Sequence, residues 1–133
     1  MKRILIADDH VMVLEGLCAV LQREYQVIGT AKNGRELVDR AEQLKPDVIV
    51  LDVSMPELNG IEACRQIHKS ARAIKIVFVT QQLDPAYVRA AFEAGAMGYV
   101  AKQSASAELL EAMRLVLAGR YYVTPLATAN TDT

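Results

Sequence analysis

Five residues of chemically useful type stand at the carboxyl ends of short apolar runs. Asp8 and Asp9 follow ILIA (4–7), Asp52 follows VIVL (48–51), Thr80 ends KIVFVT (75–80) and Lys102 follows GYVA (98–101). Each has an ordinary explanation alone. Asp9 can cap a helix beginning near Val11. Asp52 can open the Asp-Val-Ser turn, Thr80 is a β-branched strand residue, and a lone lysine is usually solvated. If the runs are neighbouring strands, however, all five side chains meet at one edge of one sheet. Two carboxylates about 5 Å apart repel by roughly 3 kcal/mol at an effective dielectric near 20. Three acids therefore call for more positive charge than Lys102 supplies. A shallow, oxygen-lined site of this kind suits Mg²⁺, with Mn²⁺ as a substitute. Magnesium is the usual partner of a phosphoryl group, and an aspartate oxygen can act as the nucleophile that accepts one.

The elements that would place these residues are legible in the hydrophobic pattern. ILIA (4–7), YQVIGT (25–30), DVIVL (47–51), KIVFVT (75–80) and GYVA (98–101) read as strands. Those at 4–7, 48–51 and 76–79 are almost continuously apolar, as expected of strands covered on both faces. Amphipathic stretches alternate with them at 11–23, 34–44, 60–69, 85–94 and 105–118. Asn33 with Glu36 forms a cap pairing, Asp84-Pro85 is a start signal, and Gly95 and Gly119 are stops. Regular strand–helix alternation predicts an α/β domain with a parallel sheet and helices on both faces. The functional crevice of such a sheet lies beyond the carboxyl ends of the strands.

The totals narrow the function further. The chain of 133 residues is 52% hydrophobic, with a net charge of −1 and no basic cluster. That argues against direct nucleic-acid contact by this piece, because phosphate binding needs concentrated Lys or Arg. No apolar run has membrane-span length and the amino terminus lacks a signal-peptide pattern, so no membrane is expected and cytoplasm is the default. Cys18 and Cys64 lie among apolar residues without metal or redox spacing and are expected to be buried thiols. On this topology they sit on opposite faces of the sheet, so a disulfide between them would refute it. His10 is expected near the site without being a ligand, and His68 on a polar helix face. Tyr121-Tyr122 is expected to pack as a linker rather than stack on a base, and ATANTDT (127–133) to be loose.

Asp8-Asp9, Asp52 followed by Met55-Pro56 and Gly60, Thr80, and AGAMGYVAK ending at Lys102 together resemble the receiver domain of two-component response regulators. The details DDH (8–10), EGL (15–17) and GRYYVTP (119–125) look most like the NarL/FixJ (LuxR-like) type. The resemblance implies a flavodoxin-like (βα)5 doubly wound fold over 1–118, with a five-stranded parallel sheet in the order 2-1-3-4-5. It implies that 119–133 is a linker, cut before a helix-turn-helix output domain through which alone DNA would be contacted. Asp52 would take a phosphoryl group from a sensor histidine kinase. Mg²⁺ would be held by Asp8, Asp9, Asp52 and the backbone carbonyl of Ser54. Thr80 and Lys102 would bind the phosphoryl oxygens, and Tyr99 would be the aromatic switch, moving inward when Thr80 turns. Homodimerisation on phosphorylation is a further expectation. Beyond its own phosphoryl transfer and dephosphorylation the chain is not expected to be an enzyme.

Met55-Pro56 is expected to stiffen the loop after Asp52, and Gly60 to let the backbone turn into the next helix. The departure from the family pattern is Gln81, where a small or apolar residue is usual after the hydroxyl residue. With Ser54 and Gln82 it is expected to tune phosphodonor preference and phosphate lifetime. A haloacid-dehalogenase-like phosphatase would want a second acid where Ser54 stands. A flavodoxin would want a Ser/Thr-rich phosphate loop where Asp8-Asp9-His10 stands. A pseudo-receiver acting only as an interaction module usually shows losses among the five site positions, and none is lost here.

Overall fold

The structure is a computed structural model and describes residues 1–127; of the segment 127–133 expected to be loose, Ala127 is instead buried, and the remainder lies outside the described residues. Strands β1 (Arg3–Ala7), β2 (Gln26–Ala31), β3 (Val48–Leu51), β4 (Lys75–Thr80), β5 (Gly98–Ala101) and β6 (Tyr122–Val123) form one parallel sheet in the order β2-β1-β3-β4-β5-β6. Helices α1 (Val11–Leu21), α2 (Gly34–Leu44), α3 (Gly60–Ser70), α4 (Pro85–Glu93) and α5 (Ala105–Leu117) connect them, with a 3-10 turn at Lys102–Ser104. The sixth strand corrects the five-stranded expectation: Tyr122 and Val123 pair with Gly98 and Tyr99. Two residues are too short to carry a strand signal, and only the open edge of β5 makes them one.

The inner strands sort their side chains by the two-residue period of a pleated backbone. Leu5, Ala7, Ile49, Leu51, Ile76, Phe78 and Tyr99 face α2, α3 and α4. Ile4, Ile6, Val48, Val50, Val77, Val79 and Val100 face α1 and α5. Both layers need apolar residues, which is why the inner strands lack alternation in sequence. Cys64 belongs to the first layer and half-buried Cys18 packs on the second, and both thiols are free. Burial pushes the Cys64 thiol up to about 12, despite the opposing pull of Arg65.

Two helix starts follow the predicted caps, Asn33 and Asp84. Asn33 accepts from the Glu36 amide at 2.8 Å, while the Glu36 carboxylate takes the Lys32 amide at 3.2 Å. Asn59 caps α3 in the same way, and Asp84 accepts from the Ala86 amide. At α1 the capping position belongs to His10, with no side-chain cap, so Asp9 does not serve that purpose. Gly95 ends α4 at φ 115°, and a Cβ there would lie 2.4 Å from the His68 ring. His68 is therefore not on a polar face as expected. Its ring lies against Gly95, and its Nδ1 is buried with no hydrogen-bond partner among the described residues. Among the described residues no helix is long and apolar enough to cross a membrane.

Candidate functional site

Strand order reverses between β1 and β3: the chain runs from β1 outward to β2, then returns to β1's other side. The crevice of a doubly wound sheet opens at such a switch point. Register does the rest. Ala7 lies opposite Leu51 and the Asp52 amide donates to the Ala7 carbonyl at 3.2 Å, so Asp8 and Asp52 emerge side by side. Thr80 lies opposite Ala101, so Lys102 leaves β5 one position beyond it.

Lys102 reaches back across the crevice. Its Nζ lies 2.8 Å from Oδ2 of Asp8 and 2.8 Å from Oδ2 of Asp52. Both acids are buried, and the lysine side chain is only 11% exposed. Burial works against the ammonium, but its hydrogen bonds to Asp52 and Asp8 and the charge of both acids outweigh it and hold Lys102 above the ordinary lysine value. One cation thus ties two strand ends to a third. The second oxygen of Asp52, Oδ1, is buried and has no hydrogen-bond partner among the described residues. A buried, unpaired carboxylate oxygen is costly.

Asp8 is anchored by the His10 amide, which donates to its Oδ1 at 2.9 Å. Asp9 is partly exposed, and the His10 Nδ1 lies 3.1 Å from its Oδ1 and 3.2 Å from that of Asp8. Potential ligand atoms of Asp8, Asp9 and His10 all lie within 4.8 Å of one another. The donor set is hard oxygen with one imidazole. His10 therefore lies near the site as expected, with its ring against both acids.

The loops around Asp52 have physical reasons of their own. A Cβ on Gly60 would lie 1.9 Å from the Asp52 carbonyl oxygen, and the Gly60 amide donates to the Val53 carbonyl at 2.7 Å. Gly60 is thus required by close approach to the backbone of Asp52, not by turning freedom alone. Met55 is buried beneath the same loop, while Ser54 and Pro56 are exposed. Thr80 is fully buried and its Oγ1 accepts from the Gln82 amide at 3.2 Å. Gln82 also donates through Nε2 to the Ser54 hydroxyl at 3.3 Å, bridging the loops after β3 and β4.

Gln81 is exposed beside Thr80 and Lys102, in a cleft between α1 and α5. A second cleft of about 580 Å³ runs from Asp9 past Ser54 and Met55 to Tyr87. Tyr99 is fully buried in an inner strand, 5.9 Å from the Phe78 ring, and its hydroxyl donates to the Gln82 carbonyl at 2.5 Å. Its ring is already inward in this structure, whereas the resemblance had it moving inward only when Thr80 turns. Desolvation first, then the charge of Asp52, raises its phenol above the usual range. The Gln82 contacts were not foreseen, because they depend on how two loops meet.

Comparison with known proteins agrees with this geometry. The family described as "Response regulator receiver domain" matches residues 4–114. The response regulator GacA of Pseudomonas viridiflava is 40% identical over 127 residues, covering 94% of this chain and 59% of that protein. The transcriptional regulatory protein LiaR of Bacillus subtilis (strain 168) is 42% identical over 121 residues, covering 90% of this chain and 57% of that protein. The chain thus spans somewhat under two thirds of the length of these relatives. Among solved structures, a two-component response regulator of the LuxR family from Aurantimonas sp. SI85-9A1 superposes with a TM-score of 0.93 at 36% identity, covering 99% of this chain and 96% of that one. The response regulator RcsB in complex with DNA superposes with a TM-score of 0.91 at 25% identity, over 98% of this chain and 67% of that one. The chain belongs to the response regulator receiver domain family, among relatives of the LuxR type.

Proposed function

We propose that Asp52 accepts a phosphoryl group from the phosphohistidine of a sensor kinase, and that the resulting change controls a DNA-binding output. The observation that carries this reading is the asymmetry of the Asp52 carboxylate. Oδ2 is fixed by Lys102 at 2.8 Å, while Oδ1 is buried without a partner among the described residues. In the transfer an Asp52 oxygen forms a bond to phosphorus as the P–N bond to the kinase histidine breaks, and the imidazole leaves with that electron pair. A strand end inside a packed sheet holds the nucleophile in fixed geometry, which lowers the entropic part of the barrier.

Charge must be managed as the phosphoryl group arrives. Lys102 sits between Asp8 and Asp52 and can pair with a phosphoryl oxygen without leaving the site. The Thr80 hydroxyl accepts from the Gln82 amide and keeps its own proton, which it can donate to a phosphoryl oxygen. Asp8, Asp9, Asp52 and the Ser54 carbonyl would hold Mg²⁺, and the clustered carboxylate oxygens of Asp8 and Asp9 fit that ion. Bound there, it neutralises phosphoryl charge. His10, now against both acids, would swing aside. Tyr99 would report the change, because its hydroxyl already touches the Gln82 carbonyl. Output through DNA is supported by the resemblance to RcsB, solved bound to DNA, and to regulators of transcription; homodimerisation on phosphorylation is part of the same proposal.

Incubation with Mg²⁺ and a small phosphodonor, read by intact mass against Asp52→Asn, tests the proposal. A phosphoryl adduct that needs both Mg²⁺ and Asp52 is expected. Absence of an adduct, even with a panel of kinases, would leave a receiver fold used only for contact.

A further inference from the structure

The segment after α5 is tied into the domain more tightly than a connector needs. Both carboxylate oxygens of Glu108, in the first turn of α5, are occupied by it. The Tyr122 hydroxyl donates to Oε1 at 2.6 Å, and the Thr124 hydroxyl donates to Oε2 at 3.2 Å. Thr124 is fully buried, though it lies beyond the last helix. The backbone is held as well: the Tyr122 amide donates to the Met97 carbonyl at 3.0 Å, and the Thr124 amide to the Tyr99 carbonyl at 2.8 Å. Side chains alternate across β6 as a strand requires. Tyr122 and Thr124 point to α5, while the Tyr121 ring meets Phe92 of α4 edge-on at 6.0 Å. Burial, then the hydrogen bond donated to Glu108, raises the Tyr122 phenol above its usual range.

We propose that Glu108 is a clamp that docks residues 121–124 as an output strand, wired through Tyr99 to the phosphoryl-site loop. The line of contacts is continuous. The Ser54 hydroxyl meets Gln82 Nε2, the Gln82 carbonyl meets the Tyr99 hydroxyl, the Tyr99 carbonyl meets the Thr124 amide, and the Thr124 hydroxyl meets Glu108. On this proposal a displacement of Gln82 is passed to residues 121–124 through a single buried side chain, and cutting the links one at a time tests it.

Backbone hydrogen exchange on the unphosphorylated full chain does this. Glu108→Ala is expected to speed exchange of the Tyr122 and Thr124 amides about tenfold or more, with the amides of β3 unchanged. Glu108→Gln, which keeps an acceptor and the side-chain volume, is expected to stay within about threefold of the parent. Tyr99→Phe, which removes only the hydroxyl on Gln82, is expected to speed the Thr124 amide several-fold. Unchanged protection in Glu108→Ala would overturn the clamp. A freed strand in Glu108→Ala with an unchanged Thr124 amide in Tyr99→Phe would overturn the wiring. The inference goes beyond the phosphoacceptor reading and none of these measurements uses a phosphodonor, so a missing adduct on Asp52 and a missing clamp are separate results.

Discussion

Replacing Lys102 by Met should expose how much of this domain's stability rests on one cation. Lys102 makes two contacts of 2.8 Å to acids that are almost wholly buried. Each contact carries about 6 kcal/mol of bare attraction at an effective dielectric near 20, most of which only offsets the desolvation of the three groups. Removing one partner of a buried ion pair typically costs about 3–5 kcal/mol, because the remaining charge is stranded. Here Asp8 and Asp52 would face each other without compensation, although water can enter where the 11%-exposed lysine stood. The expected loss is therefore near the lower end, about 3 kcal/mol. Urea unfolding of the parent, Lys102→Met, Asp52→Asn and the double variant closes a cycle. Asp52→Asn alone leaves the Lys102–Asp8 pair and should cost about 1 kcal/mol or less. The double variant removes one acid with the cation and should cost at least about 1.5 kcal/mol less than the sum of the singles. Additivity within about 0.5 kcal/mol would refute the view that Lys102 compensates Asp8 and Asp52 as a unit.

Four further outcomes follow from contacts described above. Gly60→Ala places a methyl 1.9 Å from the Asp52 carbonyl oxygen, so backbone must move; a loss of about 2–3 kcal/mol is expected in the same urea assay. If Gln82 and Ser54 set access to the acyl phosphate by bridging the two loops, changing both to Ala alters the dephosphorylation time course, and an unchanged course contradicts it. A thiol reagent at pH 8 should label Cys18 well before Cys64, whose thiol is buried and raised to about 12, and mass spectrometry of the partly labelled protein reads the order. Lys102, Tyr99 and Tyr122 are all raised in the folded chain. Folding therefore favours their protonated forms, and stability is full below their unfolded values near 10 and falls as pH rises beyond them. Alkaline unfolding followed by circular dichroism should begin later in Tyr99→Phe than its loss of stability at pH 7 alone would suggest.

Residue order alone was sufficient for the parallel α/β class, the strand ends that carry Asp8, Asp9, Asp52, Thr80 and Lys102, and the capping residues Asn33 and Asp84. Those features are local. Apolar runs, a cap oxygen two or three residues from its amide, and a helix-ending glycine all act within a few turns of the chain. Packing decided the rest. The salt bridge of Lys102 to Asp8 spans most of the domain in sequence, and a run of four apolar residues says nothing of which strand it will neighbour. Gly60 looked like a turn residue until the Asp52 carbonyl was found against its Cα. His68 looked solvated until α4 ended on its ring. Tyr122 and Val123 became a strand, and Glu108 their clamp, only because β5 offers an open edge beside α5. Hydrogen bonds between distant residues depend on register and on the approach of whole elements. No residue's own neighbours in sequence encode those quantities.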